Sequence, residues 1–232
     1  MTRDEFILEV SKLGLSVSDL EMAMLDKYYE LLVFYNEKIN LTSIVKKEDV
    51  FLKHFYDSLT LCKCVSFDGV STFCDVGTGA GFPGIVIKIF FPHLKVTLVD
   101  ALNKRINFLS TVVHELGLCD VTLVHARAEE YAISHREVFD VVTARAVASL
   151  PVLLEYCLPL AVVSGFFVAM KGDEDVSLSS HALCLLSGKI VSSEKFLLPY
   201  ENSVRMIIKV VKEKKTDLKY PRKFAMIKKK PL

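Results

Sequence analysis

The run Asp75-Val76-Gly77-Thr78-Gly79-Ala80-Gly81-Phe82-Pro83-Gly84 puts four glycines into eight residues, behind a carboxylate and around a proline. Glycines at that density allow a tight turn and let the backbone approach a ligand with no Cβ in the way. N–H groups at the start of a following helix favour an electron-rich ligand group. Gly79-x-Gly81-x-x-Gly84 matches the dinucleotide fingerprint in spacing, and Asp100 stands at a suitable distance downstream to bind ribose hydroxyls. Two features favour S-adenosylmethionine over a pyrophosphate. Asp75 stands where a carboxylate could hold the cationic methionine end of the ligand, and Gly77-x-Gly79-x-Gly81 suits a loop wrapping an amino acid and a ribose.

The surrounding elements must place that loop at the end of a strand. Thr72–Val76, Val96–Asp100, Val121–Val124, Phe139–Ala144 and Phe166–Met170 read as strands, with helices starting near Pro83, Lys104 and Pro151 and another after Asp173. Gly117 suits the left-handed cap of the second of these helices. Alternating strands and helices predict a parallel sheet covered on both faces. Ile190–Leu197 and Arg205–Val211, separated by a turn segment from Pro199 to Ser203, predict an antiparallel hairpin at its end. The fold class is therefore α/β, a Rossmann-like S-adenosylmethionine methyltransferase sheet, since a simple dinucleotide-binding fold lacks that hairpin. Residues 1–65 read as an N-terminal helical extension and 66–232 as the methyltransferase domain with a basic tail. In the extension, Ser18-x-x-Glu21 is a capping box. Leu20, Met24, Tyr28, Leu31 and Tyr35 recur at helical spacing, a break follows from Asn36 to Thr42, and a second helix runs from about Glu48 to Leu61 with Phe51, Phe55 and Leu59 on one side.

Composition narrows the class. A 51% hydrophobic chain of 232 residues can bury a substantial core, and the longest apolar runs fall far short of the roughly 20 residues that cross a bilayer. The N-terminal residues show no secretory signal, so a cytoplasmic location with no membrane partner is expected. Cys62, Cys64, Cys74, Cys119, Cys157 and Cys184 have neither zinc-site nor disulfide-framework spacing and read as core thiols, with no metal expected. Net charge is +1, but from Lys209 onward there are ten basic and two acidic residues. That asymmetry hints at a polyanionic partner, or at no more than a solvated end.

In order along the chain stand Asn40-Leu41-Thr42, His54-x-x-Asp57-Ser58-Leu59, the glycine loop, Asp100-x-x-x-Lys104-Arg105-x-x-Phe108-Leu109, Ala128-Glu129-Glu130, Ala144-Arg145-Ala146-Val147, Lys171-Gly172 and Tyr220-Pro221-Arg222-Lys223. Together they resemble the ribosomal RNA small-subunit methyltransferase G family, also called glucose-inhibited division protein B. The resemblance implies methylation of guanine N7 in 16S ribosomal RNA near the decoding centre, with S-adenosylmethionine as donor and S-adenosylhomocysteine as product. It places ligand contacts on Gly77, Phe82, Ala128, Glu129 and Arg145. The family usually ends in a Gly-x-Pro turn among its last lysines, where this chain has Phe224-Ala225-Met226-Ile227.

The cofactor site is thus expected on Asp75, Gly77, Gly79, Gly81, Phe82, Asp100, Ala128, Glu129 and Arg145. Thr143-Ala144-Arg145-Ala146 follows the fourth strand, where enzymes that methylate exocyclic amines carry an Asp/Asn-Pro-Pro-aromatic motif. No Pro-Cys dipeptide offers the nucleophile of pyrimidine-C5 enzymes. Guanine N7 needs neither, because its lone pair is already free, so no catalytic base or nucleophile is expected. Arg145 either positions substrate or cofactor with its fork of donors or forms an ion pair with Asp140 or Glu129. His54 and Asp57 read as groups linking the helical segment to the sheet, and Arg127 as a surface charge. Lys104, Arg105, Lys171, Arg222, Lys223, Lys228 and Lys229 are the RNA phosphate candidates. The expected partner is 16S ribosomal RNA, in the small subunit or an assembly intermediate, with no obligate protein partner. A nicotinamide-dependent oxidoreductase and a non-catalytic ribosome-binding factor are the competing readings.

Overall fold

A computed structural model of the chain describes residues 1–145 and 148–232; Ala146 and Val147, two of the residues that carry the resemblance, lie outside the described residues. The N-terminal part holds α1 (Arg3–Ser11), α2 (Asp19–Ile39) and a helical stretch built from α3 (Lys47–Val50), a π turn (Phe51–Tyr56) and α4 (Asp57–Leu59). Then follow β1 (Thr72–Val76), α5 (Gly84–Phe90), β2 (Lys95–Asp100), α6 (Asn103–Glu115), β3 (Val121–His125), α7 (Ala128–Ser134), β4 (Phe139–Arg145), α8 (Leu150–Cys157) and β5 (Ala161–Lys171). The chain ends with α9 (Ser180–Leu186), β6 (Gly188–Leu197), β7 (Val204–Lys212) and α10 (Phe224–Lys229).

The seven strands form one sheet in the order β3-β2-β1-β4-β5-β7-β6. β1 to β5 pair in parallel, whereas β7 runs antiparallel to both β5 and β6. The expected strands and terminal hairpin are therefore present. Alternation along each strand splits the core in two. Phe73, Leu98, Val141 and Ile207 join the side covered by α2, α5 and α6. Cys74, Val99, Val142 and Ile208 join the side covered by α7, α8 and α10. The chain leaves β1 outward to β2 and β3 and returns to β4 on the other flank, which opens a crevice at the carboxyl ends of β1 and β4. No helix among the described residues is long and apolar enough to cross a membrane.

The N-terminal helices bury themselves against the sheet's own helices. The Ser18–Glu21 capping box closes reciprocally, Glu21 N to Ser18 Oγ at 3.3 Å and Ser18 N to Glu21 Oε2 at 2.6 Å. The buried face of α2 is Met22, Leu25, Tyr28 and Leu32, while Leu20 is 66% exposed. Of the anticipated stripe, Tyr28 is fully buried, Met24, Leu31 and Tyr35 pack half-buried against the same core, and Leu20 alone points out, so the most buried line is shifted partway around the helix. The helix also outlasts the anticipated break at Asn36. It stops at Asn40, whose left-handed φ of 47° ends it. Asn36 Oδ1 instead accepts from Leu41 N at 2.7 Å and Thr42 N at 2.8 Å, folding the next segment over the crevice. Phe51, Phe55 and Leu59 are buried on one side as expected. The π turn between α3 and α4 widens the helix there.

Candidate active site

β1 ends in the glycine loop, and Gly77, Gly79 and Gly81 all take positive φ, 70°, 61° and 100°. Only Gly77 and Gly79 border open space. They line a cleft of about 750 Å³ that also reaches Phe82, Asp100, Arg145 and Lys171. A second, more apolar lobe of about 480 Å³ shares Gly77, Asp100 and Ala101 and runs on to Ala128, Glu129 and Tyr156. The two lobes form one trough across the carboxyl ends of the strands, with Asp100 at its middle.

Two of the expected contacts lie elsewhere. Gly81 faces the core, where an added Cβ would come within 2.5 Å of Tyr28 Oη and 2.8 Å of Leu109; its glycine serves packing. Asp75 is fully buried beneath the loop and lines neither lobe. Its Oδ2 accepts from Thr78 Oγ1 at 2.7 Å and Gly84 N at 2.9 Å, and its Oδ1 has no partner. The carboxylate braces the loop against the start of α5 instead of meeting the methionine end. Tyr28, from α2, donates to Ala80 O from the other side. The loop is therefore held by residues from two separate parts of the chain.

Asp100 occupies the place foreseen for it. Its Oδ2 accepts from Gly79 N at 2.9 Å and from Arg105 Nη1 at 3.2 Å, and its Oδ1 accepts from Leu102 N at 2.8 Å. Arg105 is thus drawn inward to the trough, where it pairs with Asp100, and its Nε is buried without a partner. Lys104 Nζ donates to Ile39 O at 2.8 Å, at the carbonyl end of α2, where a cation complements the helix dipole. Lys171 pairs with Glu174 at 2.5 Å and lines the cleft wall.

At the cleft's far end, Arg145 is held by the N-terminal stretch and by neither Asp140 nor Glu129. Its Nη1 donates to Asp57 Oδ2 and to Lys53 O, each at 3.0 Å, and its guanidinium carbon lies 5.3 Å from the centre of the Phe82 ring. Asp57 Oδ1 accepts in turn from Arg205 Nε at 3.1 Å. One carboxylate thereby clamps arginines from β4 and β7, which sequence reading missed for Arg205 because 148 residues separate it from Asp57. His54 stacks on Phe82 with ring centres 4.4 Å apart, and its Nε2 lies 2.9 Å from Thr42 Oγ1. These contacts bear out the linking role expected of His54 and Asp57.

Burial pushes Asp75 up to about 6, opposed by hydrogen bonds from Thr78 and Gly84. Burial pushes His54 down to about 3, helped by the Arg145 charge. The two have opposite consequences for stability. A carboxyl raised on folding contributes fully below its ordinary value near 3.8 and loses that contribution as pH rises through about 6. A histidine lowered on folding contributes above its ordinary 6.5 and loses it as pH falls toward about 3. Between about pH 6 and 4 the two slopes therefore oppose each other. Relative to the parent, His54→Gln should gain stability on acidification by about 1.4 kcal/mol per pH unit, and Asp75→Asn should lose it at a similar rate. Urea midpoints of the three proteins at pH 4, 5 and 6 check this; parallel profiles would refute it.

The tail carries fewer free cations than its composition suggests. Arg222 forms a bidentate pair with the fully buried Glu155, Nε to Oε1 at 2.8 Å and Nη2 to Oε2 at 2.7 Å, so it is an anchor and no phosphate contact. Lys212 is buried on Leu158 O and Ala161 O. Lys223, Lys228 and Lys229 stay exposed and without an ion pair among the described residues. The altered stretch Phe224-Ala225-Met226-Ile227 forms the start of α10. Arg127 is no plain surface charge: it pairs with Glu129 at 2.6 Å and its guanidinium lies 3.7 Å from the centre of the Phe224 ring. All six cysteines are free thiols, four at least partly accessible, and no described residues cluster as a metal site.

The sheet order with its antiparallel β7, the glycine loop and the acidic end of β2 define a Rossmann-like S-adenosylmethionine methyltransferase fold. A SAM dependent methyltransferase from Aquifex aeolicus superposes with a TM-score of 0.57 at 15% identity, over 74% of this chain and 97% of that one. Residues 21–199 match the family model of rRNA small subunit methyltransferase G, and the chain belongs to that family. Ribosomal RNA small subunit methyltransferase G of Exiguobacterium sibiricum is 52% identical over the whole of both chains. The protein of that name from Bacillus velezensis is 50% identical over 96% of this chain and 95% of its own.

Proposed function

We propose that this enzyme transfers a methyl group from S-adenosylmethionine to N7 of a guanine in 16S ribosomal RNA of the small subunit, near the decoding centre. The observation that carries the cofactor part is the single trough with Asp100 at its centre. Its chemistry fits the ligand: Gly77 and Gly79 bare backbone without side chains, and Asp100 offers a carboxylate for ribose hydroxyls. The apolar lobe at Ala128 accepts an adenine, and the Phe82–Arg145 end remains for the methionine part and the target base. Bound there, S-adenosylmethionine supplies an electrophilic methyl group on a sulfonium.

The chain's own residues then have to hold and align. Guanine N7 has a free lone pair, so orientation is the main contribution, worth on the order of 7–11 kcal/mol at best. His54, the one imidazole lining the cleft, is kept neutral and stacked on Phe82, which suits a wall and not a proton shuttle. Arg145 and Arg205 present guanidinium donors fixed by Asp57 to the phosphate or base edge of a flipped nucleotide. Lys223 and Lys229 position the RNA through phosphates without reading sequence, whereas Lys228 lines the apolar lobe. Residues 1–65 act as a helical extension whose task is to brace the glycine loop and set the clamp, beside a methyltransferase domain over 66–232. The enzyme works in the cytoplasm on the small subunit or an assembly intermediate.

The decisive test mixes the purified protein with S-adenosylmethionine labelled in its methyl group and small subunits lacking base methylation. Label recovered as 7-methylguanosine at one 16S site is the expected result. Label on protein, or no transfer to naked RNA, finished subunits or assembly intermediates alike, would overturn the proposal. Stabilisation by NAD and not by S-adenosylhomocysteine would instead favour an oxidoreductase.

A further inference from the structure

The apolar lobe of the trough has an outer wall that comes from the end of the chain. Phe224, Lys228 and Pro231 line it together with Val99 and Val152. With Ile227 these residues stand at the spacing of one helical face, and α10 spans Phe224–Lys229. Ile227 is fully buried and does the packing. Phe224 is 38% exposed, so the core does not account for its ring; the ring rests on the Arg127 guanidinium at 3.7 Å, and Arg127 is tied to Glu129 at the lobe's floor. The segment is also pinned at both ends, since Arg222 grips the buried Glu155 and its Nη2 donates to Lys230 O at 3.1 Å. A mostly apolar lobe closed on one side by an aromatic ring fits a purine.

We propose that the C-terminal helix α10 is the outer wall of the adenosine subsite, and that Phe224 and Lys228 are cofactor-affinity residues for the methyl transfer. The inference rests on the cofactor reading above. Because the wall touches only the adenosine half, losing it weakens every adenosine ligand by the same factor, with or without the methionine end. The helix favours this arrangement through its own residues: Ala225, Met226, Lys228 and Lys229 propagate a helix and no glycine interrupts it.

The test titrates S-adenosylhomocysteine and 5′-methylthioadenosine calorimetrically into the full-length protein and into Phe224→Ala, Lys228→Ala and the outward-facing Met226→Ala. Phe224→Ala should weaken both ligands equally, by about tenfold, Lys228→Ala should weaken both by a smaller common factor, and Met226→Ala should change neither. A Phe224→Leu variant and the melting temperature of each protein separate loss of the ring from loss of fold. Equal affinity of the parent and Phe224→Ala for both ligands would overturn the wall while leaving the cofactor reading intact. A parent that binds neither ligand would overturn the cofactor reading and the wall with it.

Discussion

Asp57→Ala is expected to cost about 3–5 kcal/mol of stability and most of the methyl transfer. Asp57 is nearly inaccessible, and its two oxygens take Arg145 at 3.0 Å and Arg205 at 3.1 Å, one each. A buried pair adds little over an apolar replacement, but removing one partner leaves the other charge unpaired. Here one deletion strands two guanidiniums in the cleft wall. Mutual repulsion then turns them out of line, and whatever base or phosphate they position loses its fixed donors. Asp57→Asn keeps the shape and one acceptor and should recover part of the stability but little of the activity. Urea unfolding and labelled methyl transfer on the same preparations check both halves. Unchanged stability in Asp57→Ala would show that water already screens the clamp.

Asp100→Ala should weaken S-adenosylhomocysteine by roughly a hundredfold, about 3 kcal/mol. The carboxylate is the one charged acceptor in both lobes that faces the middle of the trough, and a hydrogen bond to a charged group is worth about 1.5–3 kcal/mol. It also holds Gly79 N and Leu102 N, so its loss slackens the loop and the entry to α6 together. Asp100→Asn distinguishes these effects: it retains an acceptor for the backbone and lacks the charge for the ribose and for Arg105. Affinity in Asp100→Asn close to that of the parent would mean that loop geometry, and no charged contact, sets binding. Calorimetric titration of the three proteins gives the answer directly.

Much of this architecture was legible because it is local. Thr72–Val76 was delimited as found, since a short apolar run between turn signals has one reading, and the glycine loop advertised itself by density. The buried side of α2 was less legible. Its sequence is apolar on more than one side, and the choice among faces belongs to the sheet that the helix meets. The small helices α7 and α10 escaped notice because segments of six or seven residues draw their stability from packing more than from propensity.

The charged residues divide along the same line. Sequence by itself determined the fold class, the glycine loop after β1, the place of Asp100 at the end of β2 and the family, because each depends on residues close in the chain or on their order along it. Tertiary structure alone decided which way each charge points. Arg105 and Arg222 looked like RNA contacts and are tied to Asp100 and Glu155. Asp75 looked like a ligand group and is buried under its own loop, while Asp57 became the keystone of two distant arginines. A long cation can meet a phosphate or a carboxylate with equal chemistry. Which one it meets depends on what the folded chain brings within about 3 Å, and no spacing along the sequence encodes that distance.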